Sequence, residues 1–405
     1  MANTLAAAIP QILAQGLLAL RQQAIMARLV NAAYSDIAGD KGTSIDVPIP
    51  SAVSTRAVVA AAVPPQAADL GPTKVNIPMD QWIEAPFQLS DKDALEAMGG
   101  IIPMQASEAI KSLANYADTF MLQLPDGSET GGPSTALQLI YNVAGTPATT
   151  PFAADLAAYR DGRKLLNKAP APFTDRRVIL GPDAEANALN LALFLQAYST
   201  GDQAGIVQGL IGHRVGADWY LDQNVQSHTT ALVGAGALTA NGVNAVAASG
   251  VQQTLSIAKG AGVSWAAAVG DVIQIATGPA AGFYAVATAV TVTQGANTTV
   301  NIFPALAGAT AGGEAITVAT AVGTAAATTS VNNLLFHRDA FAFANRPLVG
   351  SAEGLGSIIQ SAIDPISGLT LRLELRRDYK QTTFSYDILF GARMPRASLA
   401  ARILG

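Results

Sequence analysis

Asp91, Asp93 and Glu96 form the group of residues in this sequence that is best suited to chemistry. Closely spaced carboxylates can bind a divalent cation or share a proton. The same acids follow Ser90 in the string SDKD, which is typical of a helix start, where carboxylates accept hydrogen bonds from free backbone N–H groups and favour the helix dipole. Because the sequence supplies no partner base, we interpret these acids as capping residues.

The three histidines, His213, His228 and His337, lie far apart in the sequence and none has the spacing of a metal site. The chain has no cysteine for thiolate ligands or disulfides. It also has no phosphate-binding loop of the form GxxxxGK followed by Ser or Thr, no GxSxG nucleophile elbow, and no GxGxxG between a strand and a helix. We therefore expect no catalytic residue, no cofactor and no metal, which argues against an α/β enzyme.

Arg372, Arg376 and Arg377 form one basic group, and they lie beside Glu374 and Asp378. Oppositely charged side chains at this spacing are typical of ion pairs across a sheet. We therefore expect these arginines to pair with acids more readily than with phosphates.

Arg393, Arg396 and Arg402 are spread along the final segment. For these we favour salt bridges between subunits over contacts with DNA. The formal net charge of the chain is −5, which argues against a protein that reads nucleic-acid sequence, since such proteins have a basic face.

The composition indicates a large chain with few surface charges. Its 405 residues are too many for one compact core and predict two or three lobes. Charged residues make up 13% of the chain, about half the usual share of a soluble domain. Since charges are depleted in the centres of interfaces, this favours a subunit with neighbours on several sides, with a mildly hydrophobic globular protein as the alternative.

The N-terminal string MANTLAAAIPQILAQGLLALRQQ lacks the basic start and the uninterrupted apolar core of a signal peptide. No long run is both uncharged and strongly apolar without glycine or polar interruptions, so we expect no transmembrane helix. The absence of cysteine is compatible with synthesis in a cytoplasm.

The first half of the chain changes from helix to strands and back to helix. Apolar residues at three- and four-residue steps predict a helix over 8–29, and alternating residues predict strands over 43–50 and 73–88. The strands form a long hairpin whose tip has little core of its own, so it should be ordered only against another surface. A short helix from Ser90 and a helix over 103–124, roughly 30 Å long, follow.

Residues 134–230 have an α/β pattern. We predict helices over 152–167 and 183–197, a buried strand over 177–180 and a strand-like segment over 215–225. A buried strand between helices suggests a mixed sheet that is covered on both faces.

The composition changes sharply after residue 230. Between 231 and 335 the only charged residues are Lys259, Asp271 and Glu314, and glycine and asparagine turns separate short alternating runs. This pattern predicts a small all-β sandwich or barrel inserted at 231–330, and a low-complexity linker is the weaker alternative. The predicted strands are 254–257, 272–275, 284–292, 300–303 and 316–318.

The chain ends in two strongly alternating strands. Leucines alternate with polar residues over 369–376, aromatic residues and Ile388 do so over 384–390, and residues 378–381 join the strands as a hairpin.

Several strings in this order resemble the major coat proteins of tailed phages with the HK97-like fold, in the branch that carries a β-barrel insertion. The resembling strings are LRQQAIMARLVNAAYSDIAGDKGTSIDVPIP at 20–50, DQWIEAPFQLSDKDALE at 80–96, MQASEAIKSLANYADTFML at 104–122, LLFHRDAFAFANRPL at 334–348 and SGLTLRLELRRDYKQTTFSYDILFGARM at 367–394. They frame the insertion, and none is a catalytic motif.

The resemblance implies an α+β fold of defined regions. These are an N-terminal arm (1–37), an extended loop (38–88), a peripheral domain with the spine helix (89–133 and 367–405), an axial domain (134–230 and 331–366) and a β-barrel insertion domain on the capsid exterior (231–330).

The resemblance also implies a non-enzymatic shell protein. Its copies would form hexamers and pentamers of an icosahedral virion head around double-stranded DNA, after assembly in the host cytoplasm with a scaffolding protein and a portal protein, and decoration proteins could bind outside. The expected subunit-interface residues are Arg21, Arg28, Ile45, Val47, Arg56, Val75, Ile77, Trp82, Arg372, Arg376 and Arg377.

One departure from the family concerns the arm, which has Arg21 and Arg28 but no acid before Asp36. Scaffold contact in related proteins often involves acids in the arm, so we expect apolar or reversed-charge contacts here. The alternatives are an encapsulin-like compartment with the same fold, and a tail, decoration or adhesin protein, for which the expected signal peptide or fibre repeats are absent.

Overall fold

The protein's structure, a computed structural model, describes residues 25–33, 44–49, 55, 58, 73–92, 101–128, 139–195, 211–247, 252–323, 325–346, 348, 357–363 and 370–405. More of these residues lie in strands than in helices, and a few helices cover the sheets. Within these ranges no helix combines the length and the hydropathy that spanning a membrane requires.

The helices are α1 (Met26–Leu29), α2 (Ile101–Gln123), α3 (Ala157–Lys168), α4 (Pro182–Leu189) and α5 (Ala192–Leu195). The strands are β1 (Ser44–Ile49), β2 (Thr73–Pro78), β3 (Gln81–Ser90), β4 (Val143–Gly145), β5 (Arg176–Leu180), β6 (Gly212–Arg214), β7 (Ala217–Leu221), β8 (Ser227–Thr230), β9 (Leu238–Ala240), β10 (Gln253–Lys259), β11 (Trp265–Ala267), β12 (Val272–Ile275), β13 (Gly282–Val286), β14 (Val290–Val292), β15 (Asn297–Phe303), β16 (Ala315–Val318), β17 (Thr328–His337), β18 (Ala342–Arg346), β19 (Ser357–Ile363), β20 (Thr370–Asp378), β21 (Gln381–Arg393) and β22 (Ala400–Leu404). Short 3₁₀ helices cover Arg338–Ala340 and Ala397–Leu399.

Strands β20 and β21 are the centre of a five-stranded sheet with the order β18-β21-β20-β19, in which β3 also pairs with β21. Leucines and aromatic residues alternate with polar residues along both strands, so one face of this sheet is apolar. The predicted C-terminal hairpin is confirmed, and Asp378 lies opposite Gln381 at its turn.

Helix α2 covers the apolar face of the five-stranded sheet. Its buried stripe includes Ala106, Ile110, Leu113 and Phe120, as the helical spacing predicted for 103–124. The ring of Phe120 lies edge-on to that of Phe390, with 5.6 Å between their centroids. The long predicted helix is therefore confirmed, and its side chains form one core with the sheet.

A seven-stranded mixed sheet forms the second layer, with the order β4-β22-β17-β5-β7-β6 and with β8 paired to the outer part of β17. The pairs β22–β4 and β5–β7 are parallel. Helix α3 packs on one face of this sheet, where Gly162 approaches Leu335, Ala144 and Ile403. The mixed sheet predicted around residues 177–180 is therefore confirmed.

The helices of this layer differ in their bounds from those predicted. Helix α3 begins at Ala157, not at 152, because Phe152 has a φ of +68°, which a right-handed helix does not allow. The helix predicted over 183–197 divides into α4 and α5 at Asn190 and Leu191. The segment 215–225 is also not one strand, since positive φ angles at Val215 and Gly216 form the turn between β6 and β7.

A closed barrel of six strands, β10-β15-β13-β12-β16-β9, lies between β8 and β17 in the sequence. Its interior is filled by apolar side chains that include Leu255, Ile257, Trp265 and Tyr284. The predicted barrel is therefore confirmed, with the segment 284–292 divided between β13 and β14. Strand β14 pairs with β11 in a separate ribbon.

The last strand does not join the C-terminal hairpin. Although we expected 367–405 to belong together with the spine helix, β22 lies between β4 and β17 in the seven-stranded sheet. Its residues Ala400–Leu404 are all buried, and this apolar composition suits a central strand covered on both faces. The end of the chain therefore connects the two layers.

The strand predicted over 43–50 is confirmed as β1, which pairs antiparallel with β2 and has Ile45 opposite Ile77. The segment 73–88 is not one strand: it divides into β2 and β3, and β3 pairs with β21 instead. The tip of the β1–β2 hairpin lies outside the described residues, apart from Thr55 and Val58. Of the helix predicted over 8–29, the structure describes α1; of the helix predicted after Ser90, it describes residues 91 and 92.

We expect the substitution Tyr386→Phe to leave the free energy of unfolding unchanged or to raise it by about 1 kcal/mol. Tyr386 is fully buried, burial raises the pKa of its hydroxyl to about 12, and that hydroxyl has no hydrogen-bond partner among the described residues. Denaturant unfolding measures the change. As a control, Phe390→Ala in the same core should cost about 3–5 kcal/mol, and a comparable loss for Tyr386→Phe would contradict this account.

Candidate functional site

Within the acidic group at the start of the predicted helix, Asp91 forms an ion pair with Arg377. Both Nη atoms of Arg377 donate to the Asp91 carboxylate at 2.5 Å, and this hydrogen bonding lowers the pKa of Asp91. Asp93 and Glu96 lie outside the described residues. In the part of the chain that the structure describes, no three His, Asp or Glu side chains are grouped to hold a metal ion.

Each histidine has a structural contact. The ring of exposed His213 lies 2.7 Å from the Asp218 carboxylate. The Nδ1 atom of His337 accepts a hydrogen bond from the Asp339 N–H and caps a 3₁₀ helix. His228 lies in a buried junction of charged groups. This junction and the outer face of β3 are the two candidate sites described below.

Trp82 is 62% exposed on the outer face of β3, yet its position is fixed. Its Nε1–H donates to an Asp387 carboxylate oxygen at 3.0 Å, and the Arg372 guanidinium lies 5.9 Å from its ring centroid. Arg372 also forms a two-pronged ion pair with Asp387 across the strands. We call this face the tryptophan surface; it consists of Trp82, Glu84, Pro86, Gln88, Arg372 and Asp387.

The other predicted arginines lie at the far end of the same sheet. Arg376 pairs with Asp378 at 3.2 Å and Arg377 pairs with Asp91, so the prediction of ion pairs for this basic group is confirmed. The turn between β20 and β21 exposes Tyr379. Both arginines keep more than half of their side-chain surface exposed, at 61% and 55%.

Burial corrects the expectation for three predicted interface residues. Ile45, Val47 and Ile77 are buried inside the subunit, so they have almost no surface left for a neighbour. Val75 is half-buried. The hairpin packs its apolar side on the five-stranded sheet, and the cluster there consists of Ile45, Val47, Ile77, Met79, Ala342 and Ala344.

The hairpin can lie this close to the sheet because residue 391 is glycine. A Cβ atom at Gly391 would lie 2.0 Å from the Pro78 carbonyl oxygen, a distance that no side chain tolerates. The opposite side of the hairpin is polar, with Lys74 and Asn76 donating to Asp46 at 2.7 and 2.8 Å. These hydrogen bonds, first that of Asn76 and then that of Lys74, lower the pKa of Asp46.

A carboxyl group on helix α2 holds the start of helix α1. The two oxygens of Asp118 accept hydrogen bonds from the N–H groups of Ile25 and Met26 at the start of α1. Burial, together with the nearby carboxyl of Asp222, raises the pKa of Asp118 to about 8. Arg28 is exposed on α1, whereas Arg21 and Arg56 lie outside the described residues.

The buried junction joins four parts of the chain around one charge cluster. The ring of His228, on β8, lies 2.9 Å from Asp271 at the start of β12 and 3.4 Å from Asp126 after α2. Thr230 donates to Asp271 at 2.7 Å. Arg402, on β22, is fully buried beside them.

Further side-chain hydrogen bonds and one close backbone approach hold these parts together and connect them to β17. Arg402 donates to the Gly270 carbonyl oxygen at 2.7 Å, and Asn332 on β17 donates to Asp126 at 3.0 Å. Gly270 has a φ of +87°, and a Cβ atom there would lie 2.3 Å from the Asp126 carbonyl oxygen. Only glycine therefore allows the barrel to approach the end of α2 this closely.

The charges of the junction balance when His228 is protonated, since two carboxylates then face two cations. Burial lowers the pKa of His228, but hydrogen bonds to Asp126 and Asp271 outweigh this effect and raise it overall. For Asp126, burial opposes ionisation, yet hydrogen bonds from His228 and Ser128 lower its pKa. Burial lowers the pKa of Arg402 to about 10. The negative charges of Asp126 and Asp271 act in the opposite direction and limit this decrease.

The prediction for Arg402 was wrong, since a side chain without exposed surface contacts neither DNA nor another subunit. Arg396 is exposed and Arg393 is half-buried. Two signals in the sequence pointed to the junction: an arginine within the apolar string AARIL, and an acid, Asp271, in a segment almost without charges. Neither signal identifies the partner, because the contacts join residues that are far apart in the chain.

No protein-family model and no curated protein matches the sequence. A solved capsid structure from Mycobacterium phage Che8 has a TM-score of 0.50 and 15% identity, covering 94% of this chain and 90% of that one. The capsid structure of the Cyanophage P-SCSP1u has a TM-score of 0.45 and 12% identity, covering 94% and 87%. The virus-like particle from Pyrococcus furiosus has a TM-score of 0.42 and 8% identity, covering 97% and 98%.

The chain has the HK97-like capsid fold. At 15% identity, the likeness to the Che8 structure concerns the fold alone. It confirms the α+β class, the capsid fold that the strings of the sequence resemble, and the presence of a barrel in this chain's version of it.

We expect the stability of this capsid fold to fall with rising pH because of His228. Its raised pKa means that its contribution is complete below about pH 6.5 and is lost as the pH rises through the pKa in the folded state. Unfolding in denaturant at a series of pH values should therefore show a smaller pH-dependence in this window for His228→Gln than for the wild type.

The matched control is His213→Gln, which changes an exposed histidine that also contacts an aspartate. It should leave the pH-dependence of the wild type in place. Because its pKa is raised, Asp118 also lowers the stability as the pH rises to about 8. The difference between the curves of the wild type and His228→Gln therefore isolates the contribution of His228. Equal curves for the wild type and His228→Gln would contradict the account.

Proposed function

We propose that this chain is the major capsid protein of a tailed bacteriophage. Its copies assemble into hexamers and pentamers of an icosahedral shell that encloses double-stranded DNA. The observation that carries the proposal is the HK97-like fold over nearly the whole chain, in the order arm, hairpin, long helix, two sheets and inserted barrel.

The fold suggests a role for each region. Residues 1–37 are the arm and 38–88 the extended loop, and α2 is the spine of a peripheral domain (89–133 with the C-terminal hairpin). Residues 134–230 and 331–366, joined by β22, form the axial domain, and the barrel (231–330) projects on the exterior. Asp118 supports the assignment of residues 1–37 as the arm, since its carboxyl attaches the start of α1 to the spine helix.

The tryptophan surface is suited to a contact between copies. Binding energy at interfaces is concentrated in a few tryptophan, tyrosine and arginine residues. Trp82 is exposed but already fixed by Asp387 and Arg372, so burying it against a neighbour costs little side-chain entropy. The arginines of this sheet are paired within the chain, which leaves the aromatic ring as the main apolar contact.

The extended loop supplies the second contact. Its base is fixed on the five-stranded sheet by the cluster around Ile77, whereas its sequence toward the tip is poor in charges and in core residues. A hairpin of this kind gains order when it lies across a neighbouring subunit. This reasoning retains Arg56 and half-buried Val75 as contact residues and removes Ile45, Val47 and Ile77 from the expected interface.

The proposal includes partners of assembly. A scaffolding protein and a portal protein act during assembly in the host cytoplasm, and the mature protein is located in the virion. The arm, with Arg28 exposed on α1, is the site where we place scaffold contact through apolar or reversed-charge groups.

Electron microscopy of the purified chain, alone and with a candidate scaffold, tests the function directly. We expect capsomers or closed shells from the wild type. The substitution Trp82→Ala should raise the concentration needed for assembly about thirtyfold, which corresponds to about 2 kcal/mol for an aromatic hot spot.

Phe173→Ala serves as the matched control, because Phe173 is also exposed (71%) but lies outside the tryptophan surface. It should assemble as the wild type does. A wild-type chain that stays monomeric under all conditions would refute the function, and shells that hold a cargo protein instead of DNA in the native host would indicate an encapsulin-like compartment. Normal assembly of Trp82→Ala would refute the role of the tryptophan surface alone.

Limited trypsin digestion tests the loop contact. If the hairpin tip lies on a neighbour, cleavage after Arg56 should be fast in the unassembled chain and slow in shells. An unrelated substrate protein added to both samples provides the reference, since its cleavage reports the activity of trypsin independently of assembly. The same rate of cleavage at Arg56 in both states would contradict the contact.

A further inference from the structure

Helix α3 has a basic stripe on its exposed side. Arg160, Lys164 and Lys168 follow one another at four-residue steps, so they share one face of the helix, and all three are exposed. The opposite side, with Tyr159, Gly162 and Leu166, is buried against the seven-stranded sheet. We call Arg160, Lys164 and Lys168 the basic stripe.

The charges of the basic stripe are available for a ligand. Lys164 and Lys168 form no ion pair among the described residues, and Arg160 lies 3.9 Å from Asp155 in a loose, exposed pair. Arg163 is half-buried and donates to the Val215 carbonyl oxygen at 2.9 Å, so it lies outside the stripe, and Asp161 is the single acid of α3. Three exposed cations on one short helix stand out in a chain of net charge −5, and they fit a polyanion.

The basic stripe and the barrel lie on opposite sides of the seven-stranded sheet. Helix α3 contacts the side to which Ala144, Leu335 and Ile403 point. The alternate residue Arg402 points the other way and bonds to the barrel backbone. A cluster on that second side joins Val143, Leu404, Val272, Ala285 and Ala287.

We infer that the basic stripe of α3 binds the phosphate backbone of packaged duplex DNA on the inner surface of the shell. This inference rests on the proposed function, in which the barrel projects outward, so that the helix on the other side of the sheet faces the genome. Successive cations are about 6 Å apart along the axis of α3. Two phosphate steps of one DNA strand rise about 6.8 Å along the duplex axis, so the two spacings are similar when the axes are parallel.

Such contacts position DNA without reading its sequence. Lysine and arginine side chains on phosphates release counterions, and the resulting affinity depends steeply on salt. A single subunit with three contacts binds weakly, whereas many copies on a closed inner surface act together. The acidic remainder of the subunit limits this attraction, which keeps the DNA mobile along the shell wall.

The experiment measures binding of a short fluorescent DNA duplex to the unassembled full-length chain over a range of salt concentrations. The double variant Lys164→Gln, Lys168→Gln should bind more weakly, and the slope of log affinity against log salt should fall by about 2, by the same amount for unrelated DNA sequences. The matched control Lys111→Gln, Lys380→Gln removes the same two charges elsewhere and should keep the wild-type slope.

Two outcomes with DNA would overturn the inference: no binding by the wild type, or an equal loss of binding in both double variants. A third is that the Lys164→Gln, Lys168→Gln variant loses binding to poly-glutamate while its DNA binding is unchanged. A fourth is that closed shells bind external duplex as strongly as the unassembled chain does. The third would indicate an acidic protein as partner, and the fourth an outward stripe. Electron microscopy of the same samples separates this inference from the proposed capsid function. If the wild type forms shells but the unassembled chain does not bind DNA, the inference is refuted and the capsid function is not.

Discussion

The buried charge of Arg402 fixes how the parts of this subunit meet. A fully buried guanidinium is costly unless opposite charges lie nearby, and here the charges of Asp126 and Asp271, from different parts of the chain, partly offset the effect of burial on the pKa of Arg402. Asp126 follows the long helix, Asp271 belongs to the barrel, and Arg402 is on the last strand. Because removing any one of these partners would leave an unbalanced buried charge, the barrel, the helix and the sheet are held in one arrangement.

This arrangement fixes the barrel against the rest of its own chain. Its contacts with the rest of the chain include the charged junction and the apolar cluster around Val143 and Leu404. An inserted domain held in this way cannot rotate freely about its two connections. A subunit with a fixed shape can then make the same contacts in every copy, which repeated assembly requires.

The sequence was a good guide to elements with strong local patterns. The alternation of leucines before Asp378 predicted the C-terminal hairpin, the apolar stripe predicted helix α2, and the charge-poor segment with regular turns predicted the barrel. In each of these elements one face is buried, and the spacing of apolar residues along the chain is enough to show this. The start of helix α3 was misplaced because the positive φ angle of Phe152, which a helix does not allow, leaves no signal in the local pattern.

The candidate sites were harder to predict, because they depend on which face of an element is covered. Alternation in β1 and β2 identifies two faces, but only the packing on Ala342 and Ala344 shows that Ile45 and Val47 point inward. Trp82 was expected at an interface, and its exposure is compatible with that role. Arg402 was misread, since a lone arginine in an apolar strand looks the same in sequence whether its partner is solvent, another chain or a buried carboxylate.

The way in which the chain enters and leaves the barrel has an evolutionary consequence. Thr230 and Thr328 lie directly opposite each other in β8 and β17, so everything between them starts and ends at neighbouring points of one sheet. Any folded module whose ends are about 5 Å apart matches these two strands without altering their pairing. In evolution, such a module can therefore be exchanged while the sheet beneath stays unchanged, and the same two residues are a natural position at which to graft a foreign domain onto this chain.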